Sequence, residues 1–353
     1  MSKTSFLVLG LLLASCGDEP ASSAPVTTTT APVQRGPVQK TRFYDEARTQ
    51  KAEQGTEVDG LRQGVWREWY EEGPLSSEGA YKDGLKDGVW KLLWPDGSIK
   101  GELTFAVGKR EGTSAFRHAN GRLFTEGEFR GDKESGKWVC FYPSGDKLDE
   151  GSYENGLRVG RWIEWHDGGT KAREGEFVGG KEEGRVTIWH KNGLVQTEGE
   201  YSAGKFEGLW KGWFEDGTPA EEANWVAGQK DGPAKAWHSN GQLRTEGLHR
   251  ADKPEGLWIA FADNGAVLNR GTFVGGQPDG AWLENYSNGS PRKQGSYASG
   301  KKQGLWKSFH DNGNPQSEGS YVDDLATGEW SYWNADGSVD AERSGSYEAG
   351  VRK

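Results

Sequence analysis

The hydrophobic positions of this chain fall into two regimes. Near the start, Phe6 to Leu13 is an almost unbroken apolar run. Beyond about residue 54, large apolar residues stand singly at fixed intervals among polar residues and glycines, with no sustained 3.6-residue period. A glycine about every six residues costs about 1 kcal/mol each inside a helix, so the pattern predicts strands and turns. The one stretch with helical potential is Tyr44 to Glu53, expected as a short cap on the first hairpin.

The spacing is a repeat of 24 residues. Starting with Gly64 and Gly88, a glycine recurs at this interval through Gly208 to Gly328, twelve times without a slip. Numbering it position 1, position 10 is also always glycine, as in Gly73, Gly97 and Gly217, and position 9 is Asn or Asp in nine of the twelve repeats. Such pairs favour positive φ and mark hairpin turns. Position 3 is tryptophan in nine repeats, among them Trp66, Trp90 and Trp210, and position 18 is aromatic in most. Position 21 is Gly or Asp and marks a second turn. Each unit therefore reads as strand, tight turn, strand, turn, and a period of this length signals a repeat architecture.

A two-residue turn at positions 9 and 10 sets Trp at 3 opposite Gly at 16, and the aromatic at 18 opposite Gly at 1. In that register each ring covers bare backbone across the strand. A three-residue turn with a glycine bulge shifts the register by one. At about 4.8 Å per strand, two strands per repeat advance the sheet by roughly 10 Å, which gives much surface and little core.

At Gly208-Leu209-Trp210-Lys211-Gly212-Trp213-Phe214-Glu215-Asp216-Gly217 and Glu198-Gly199-Glu200-Tyr201-Ser202-Ala203-Gly204, the unit resembles the MORN repeat in its bacterial variant form. The resemblance covers about Gln54 to Lys353. Ser114, Val186 and Ala234 depart from it at position 3, and the last repeat carries two extra residues before Gly345. The resemblance implies an all-β, elongated, single-layer antiparallel β-meander of about twelve hairpins. It further implies a scaffold with protein or lipid partners, and some bacterial members look like antitoxin components.

The first residues change the picture of where this array works. Lys3, the apolar run and Leu13-Ala14-Ser15-Cys16 form a secretory signal too short to span a bilayer. The tetrapeptide resembles the lipobox of bacterial lipoproteins, which makes Cys16 the expected lipid site. Residues 1–15 are then the signal peptide, 16–41 a lipid-anchored linker rich in Ala, Ser, Thr and Pro and expected to be disordered, 42–53 the capping segment and 54–353 the array. The expected location is the bacterial cell envelope, exported and membrane-bound only through the anchor.

With 43 basic and 53 acidic residues the net charge is −10, and loss of Lys3 with the signal makes it −11. That balance argues against nucleic acid as a partner. Only Cys140 remains after the anchor, so no intramolecular disulfide is expected, and it reads as a small packed residue of a strand.

Candidate chemistry is sparse. Five histidines share position 7, His118, His166, His190, His238 and His310, but neighbours two strands apart lie roughly 10 Å from each other, too far to share a zinc ion. They read as flat side chains packing on the sheet. The glutamates of position 15, such as Glu78, Glu150, Glu174 and Glu198, form a regular column without a unique pair or a pocket. No metal, cofactor or catalytic site is expected. Position 6 carries Trp69, Trp165, Trp189, Trp213, Trp237 and Trp333, on the side opposite the Trp-over-Gly layer. This is the candidate binding stripe. The expected function is a non-enzymatic envelope lipoprotein that binds a protein through its extended surface. The alternatives are a glycan or peptidoglycan-binding protein using the stripe, or an immunity or antitoxin-like protein.

Overall fold

Each turn of this chain is too short to do anything but reverse direction, so every strand must pair with the one before it. The computed structural model describes residues 36–353, and the described chain is one antiparallel meander of 27 strands without a helix. Its order is sequential, from β1 (Val38–Phe43), β2 (Lys51–Val58), β3 (Leu61–Trp69), β4 (Leu75–Lys82) and β5 (Leu85–Leu93) to β27 (Val351–Arg352). The signal, Cys16 and most of the linker lie outside the described residues. None of the described helices is long and apolar enough to cross a membrane, since there are none.

Two boundary expectations are corrected. The segment 42–53 forms no helix. Asp45 accepts hydrogen bonds from the Thr49 amide at 2.8 Å and from the Thr49 hydroxyl, which closes a local turn, and Tyr44 N–H pairs with Gln50 O to join β1 to β2. An Asp side chain that satisfies nearby backbone competes with helix in this way. The sheet also starts earlier than the array was expected to, because Val38 to Thr41 of the presumed linker already pair with Gln54 to Glu57.

The first turn of the unit is the three-residue alternative and not the two-residue turn expected at positions 9 and 10. In it, Trp94 N–H donates to Ser98 O at 2.8 Å and Gly97 N–H donates to Trp94 O at 2.8 Å, leaving three loop residues with Gly97 at φ +85°. Except at Gly168, position 9 does not adopt positive φ, and its side chain accepts instead, as Asp96 does from the Ser98 amide at 2.8 Å. This is the three-residue turn with a glycine bulge. Its one-residue shift is undone a few residues later, where Glu68 pairs with Ser77 but Trp69 pairs with Leu75, so Ser76 bulges. The two irregularities cancel, and Trp66 still faces Gly79 while Gly64 faces Tyr81. The two-residue turn lies at positions 20 and 21. Asp83 and Gly84 both have positive φ, 52° and 83°, between the paired Lys82 and Leu85, the geometry that suits the right-handed strand twist.

The core is one face of the sheet. Trp66, Trp90, Trp162, Trp210, Trp306 and Trp330 are buried there, and position-18 rings stand edge-on between them, as Tyr81 does between Trp66 and Trp90 at 5.9 and 5.1 Å. Cations at position 23 cap this ladder. Arg62 lies 4.3 Å from the Trp66 ring, Lys86 lies 4.1 Å from Trp90, and Arg158 lies 4.1 Å from Trp162. Stems of these cations cover apolar rings while their charges stay near water, which is how a single layer makes a core without a second layer.

Candidate functional site

Strand alternation places positions 3, 5, 14, 16, 18 and 23 on the ringed face and positions 2, 4, 6, 15 and 17 on the other. On that open face, the position-15 glutamates are paired along and across strands. Glu174 meets Arg161 at 2.6 Å and Lys171 at 2.7 Å, Glu198 meets Arg185 at 2.7 Å, and Glu318 meets Lys307 at 3.0 Å. The Lys171 ammonium, and then Arg161, hold the Glu174 carboxyl below the usual range, and Lys147 does the same for Glu150. The column is thus ion-paired at Glu78, Glu150, Glu174, Glu198 and Glu318, and it carries Arg270 and Gln294 in place of glutamate.

The tryptophans of position 6 are all half-buried, which corrects the picture of an exposed stripe. Lys51, Lys147 and Lys171 lie 5.4 to 5.6 Å from the rings of Trp69, Trp165 and Trp189. Toward the C-terminus Trp213, Trp237 and Trp333 pair in register with Pro219, Leu243 and Val339 of their own repeats. The stripe is spaced as expected but is covered by its own neighbours along much of its length.

The histidines of position 7 have a role that sequence reasoning missed. Nε2 of His118, His166, His190, His238 and His310 lies 2.8 to 3.0 Å from the carbonyl oxygens of Phe141, Trp189, Trp213, Phe261 and Trp333, each in the next repeat. A carbonyl only accepts, so Nε2 carries the proton. Where position 7 is tyrosine, the hydroxyl takes the same place: Tyr70 donates to Leu93 O, Tyr142 to Trp165 O and Tyr286 to Phe309 O, at 2.8 to 2.9 Å. Position 7 is a strap between successive turns. The signal for it was present, since His and Tyr share a donor at the far end of a flat ring. Position 9 adds another strap, as Asn192 and Asn240 donate to the carbonyls of Glu215 and Asp263.

The interruptions at position 3 make two local features. Around Ser114 the open face has a broad dent of about 380 Å³ lined by Val89, Glu102, Thr104, Ala115, Glu126 and Val139 among others. On the strands around Val186 the ringed face carries charge where Arg173 pairs with Glu182, and three strands from Val186 Asp149, only 5% exposed, lies near Cys140 and Arg158. Burial pushes the Cys140 thiol up to about 12, where it donates to Thr125 Oγ1 at 3.3 Å, and burial also raises Asp149 and Glu164. A thiol so shifted is a poor nucleophile. Among the described residues, no group of three or more His, Cys, Asp or Glu is placed to hold a metal ion.

This architecture defines a class: an open, tandem-hairpin repeat protein whose residues act by column rather than by pocket. Within it, residues 62–83, 86–106, 206–227, 230–250 and 302–323 match the family model described as the MORN repeat variant, so the array carries repeats of that type. No curated protein sequence matches the chain. Among solved structures it is similar to a chain of the TcdB2-TccC3-Cdc42 crystal structure, at 10% identity and a TM-score of 0.16, covering 86% of this chain and 20% of that one. It is also similar to a chain of the TcdB2-TccC3 structure without the hypervariable C-terminal region, at 11% identity and a TM-score of 0.16, covering 90% and 18%. A third likeness is to the Tc holotoxin pore of Photorhabdus luminescens, at 11% identity and a TM-score of 0.15, covering 88% and 21%. The chain spans about a fifth of the length of each, and likeness at this level carries no argument about function.

Proposed function

We propose that this chain is a non-enzymatic scaffold of the bacterial cell envelope, held by a lipid on Cys16 and binding a protein partner along its sheet. The observation that carries the reading is the open face itself. Side chains there form an open polar surface, ion-paired at Arg161–Glu174, Arg185–Glu198 and Lys307–Glu318, with no enclosed cavity set among them in the described residues. A surface of this kind recognises an extended object, because each repeat contributes a similar small increment. Catalysis needs a unique constellation shielded from water, which a periodic open column does not supply.

The glycan reading loses weight, because the stripe tryptophans are half-buried and three of them lie beside lysines. The antitoxin-like reading has no observation of its own in the described residues.

The test is crosslinking in intact cells followed by purification of the tagged chain from solubilised envelopes. A specific protein partner and loss of membrane association on Cys16→Ser are the expected results. Recovery of no partner, or release of bound material by cell-wall digestion alone, overturns the scaffold reading.

A further inference from the structure

The open face is not uniform along its length. In the middle repeats, positions 2 and 17 carry charge, with Arg161 paired to Glu176 and Arg185 to Glu200. From β15 (Lys205–Trp213) to β24 (Pro315–Val322) the same positions form an uncharged lane: Leu209 pairs with Asn224, Pro233 with Leu248, Leu257 with Thr272, Ala281 with Ser296 and Leu305 with Ser320, as Val65 with Ala80 and Val89 with Thr104 do near the start of the array. Leu209, Leu248 and Leu257 are 46%, 44% and 42% exposed, so the lane presents apolar side chains to water.

Position 2 has a second period within this lane. Leucine alternates with a small or short residue, Leu209, Pro233, Leu257, Ala281, Leu305, once every 48 residues. At about 4.8 Å per strand the bulky residues stand roughly 19 Å apart with shallow places between them. The object on the page that carries the same knobs and hollows at the same interval is the chain itself.

We propose that this lane is the self-association face of the array, closed by a second copy packed face to face about a twofold axis over Leu248. With the axis along the strands, β17 (Gln229–Trp237) lies over β19 (Lys253–Phe261) of the second copy, and β15 over β21 (Gln277–Asn285). Leu257 then enters the hollow at Pro233, Leu209 the hollow at Ala281, and Glu222 meets Arg270. An isologous contact of this kind requires a self-complementary pattern, and alternation of large and small residues lets the two layers interdigitate. Seven strands and their flanking columns cover on the order of 700 Å² per copy, near the roughly 800 Å² per partner of a stable interface.

Glu207, Asp231 and Glu255 border the lane. Each accepts a hydrogen bond from a turn amide, Ala227, Ala251 and Gly275, and so leans to the rim. There each row faces its like in the second copy. Association therefore strengthens with salt, the reverse of a contact held by opposite charges.

The association is independent of the partner in the scaffold reading, and its test separates the two. Sedimentation of the full chain carrying Cys16→Ser should show a dimer that tightens between 50 and about 500 mM salt. Leu257→Lys should weaken it at least tenfold with unchanged thermal unfolding. In a Cys16→Ser, Cys140→Ser background, Leu248→Cys should be linked across the dimer by a bis-thiol crosslinker that spans the roughly 10 Å between packed sheets, because the axis sets this position against itself. Leu305→Cys, far from the axis, should not. A monomer at 100 µM, a dimer indifferent to Leu257→Lys, or equal crosslinking from both cysteines overturns the proposal, whatever partner is recovered from cells.

Discussion

Trp90 lies flat over Gly79, so close that a Cβ on the glycine would stand 2.3 Å from the ring, and its indole N–H donates to Ala80 O at 3.0 Å. The partner is in the preceding repeat. Trp90 is paired by register with Leu103 of its own hairpin, yet the ring leans the other way, where a three-residue bulge at Gly88, Val89 and Trp90 opposes the single Gly79. The same relation joins Trp66 to Gly55, Trp210 to Gly199 and Trp330 to Gly319. At two of the three places where tryptophan is lost the glycine is released as well, Leu103 preceding Ser114 and Ala223 preceding Ala234, while Gly175 is kept before Val186. The ring therefore binds one repeat to the last, and the hairpin is not the unit of cohesion.

Gly79→Ala should destabilise the fold by about 2 to 3 kcal/mol, because a methyl here overpacks a rigid ring. In a Trp90→Ala background the same change should cost far less, a coupling that a double-mutant cycle in urea measures directly. Gly175→Ala is the control. Its neighbour is Val186, with the nearest atom at 3.4 Å, and the cost there should stay below about 1 kcal/mol. Equal losses at both glycines would contradict the role of the ring.

The sheet, the hairpin in each unit and the pairing of Trp66 with Gly79 were legible in the sequence because glycine recurs without a slip and tryptophan in nine of the twelve repeats. The direction in which Trp66 leans was not. A register states which residues face each other, whereas a bulge with Gly64 at φ +65° turns the following side chain to the opposite neighbour. For the same reason Gly64 was misread as bare backbone under Tyr81. No atom stands within 4 Å of where its Cβ would be, and its positive φ is what calls for glycine. The Asn-Gly pairs pointed to a two-residue turn because their chemistry suits both turn types, and only the compensating bulge at Ser76 distinguishes them. Of the candidate site, the column spacing was readable and the burial of Trp165 and Trp189 was not, since it depends on Lys147 and Lys171 reaching across from the adjacent repeat.

Val107 occupies the first place of a two-residue turn at φ 51° and is 73% exposed. A β-branched residue in the left-handed region is strained and gains nothing here by burial. Val107→Asn should stabilise the chain by about 1 kcal/mol, read as a rise in the urea midpoint at constant slope. No change, or a loss, would mean that Val107 makes a contact worth more than its strain.

The straps predict a graded loss. His190→Phe keeps the flat ring but removes the hydrogen bond to Trp213 O, leaving that carbonyl short of a partner, and should cost about 1 kcal/mol. Tyr142→Phe should cost a similar amount through Trp165 O. Hydrogen exchange should quicken at the turns on either side of each substitution and not in distant repeats, as expected of an array in which each unit touches only its neighbours. Uniform quickening along the chain would refute that local coupling.

Asp149 gives the chain a pH dependence whose sign follows from burial. Burial raises its pKa, with Cys140 and then Arg158 opposing that shift. A carboxyl with a higher pKa in the fold than in the unfolded chain binds its proton more tightly when folded, so its contribution favours folding in acid and is lost as pH rises through the folded pKa. Above the folded pKa the fold carries an ionised, nearly buried carboxylate. Asp149→Asn keeps the shape and removes that charge, so the urea midpoint should rise at pH 7 and the gain should shrink toward pH 4. His249 acts in the opposite pH range. Burial, with Lys230 adding to it, lowers its pKa, so folding loses stability as pH falls below the unfolded value of about 6.5. His249→Phe should remove that loss between pH 7 and 5 without altering the Asp149 effect, because the two residues lie four repeats apart. If Asp149→Asn instead weakens the fold at pH 7, the carboxylate is held by Arg158 strongly enough to outweigh its burial.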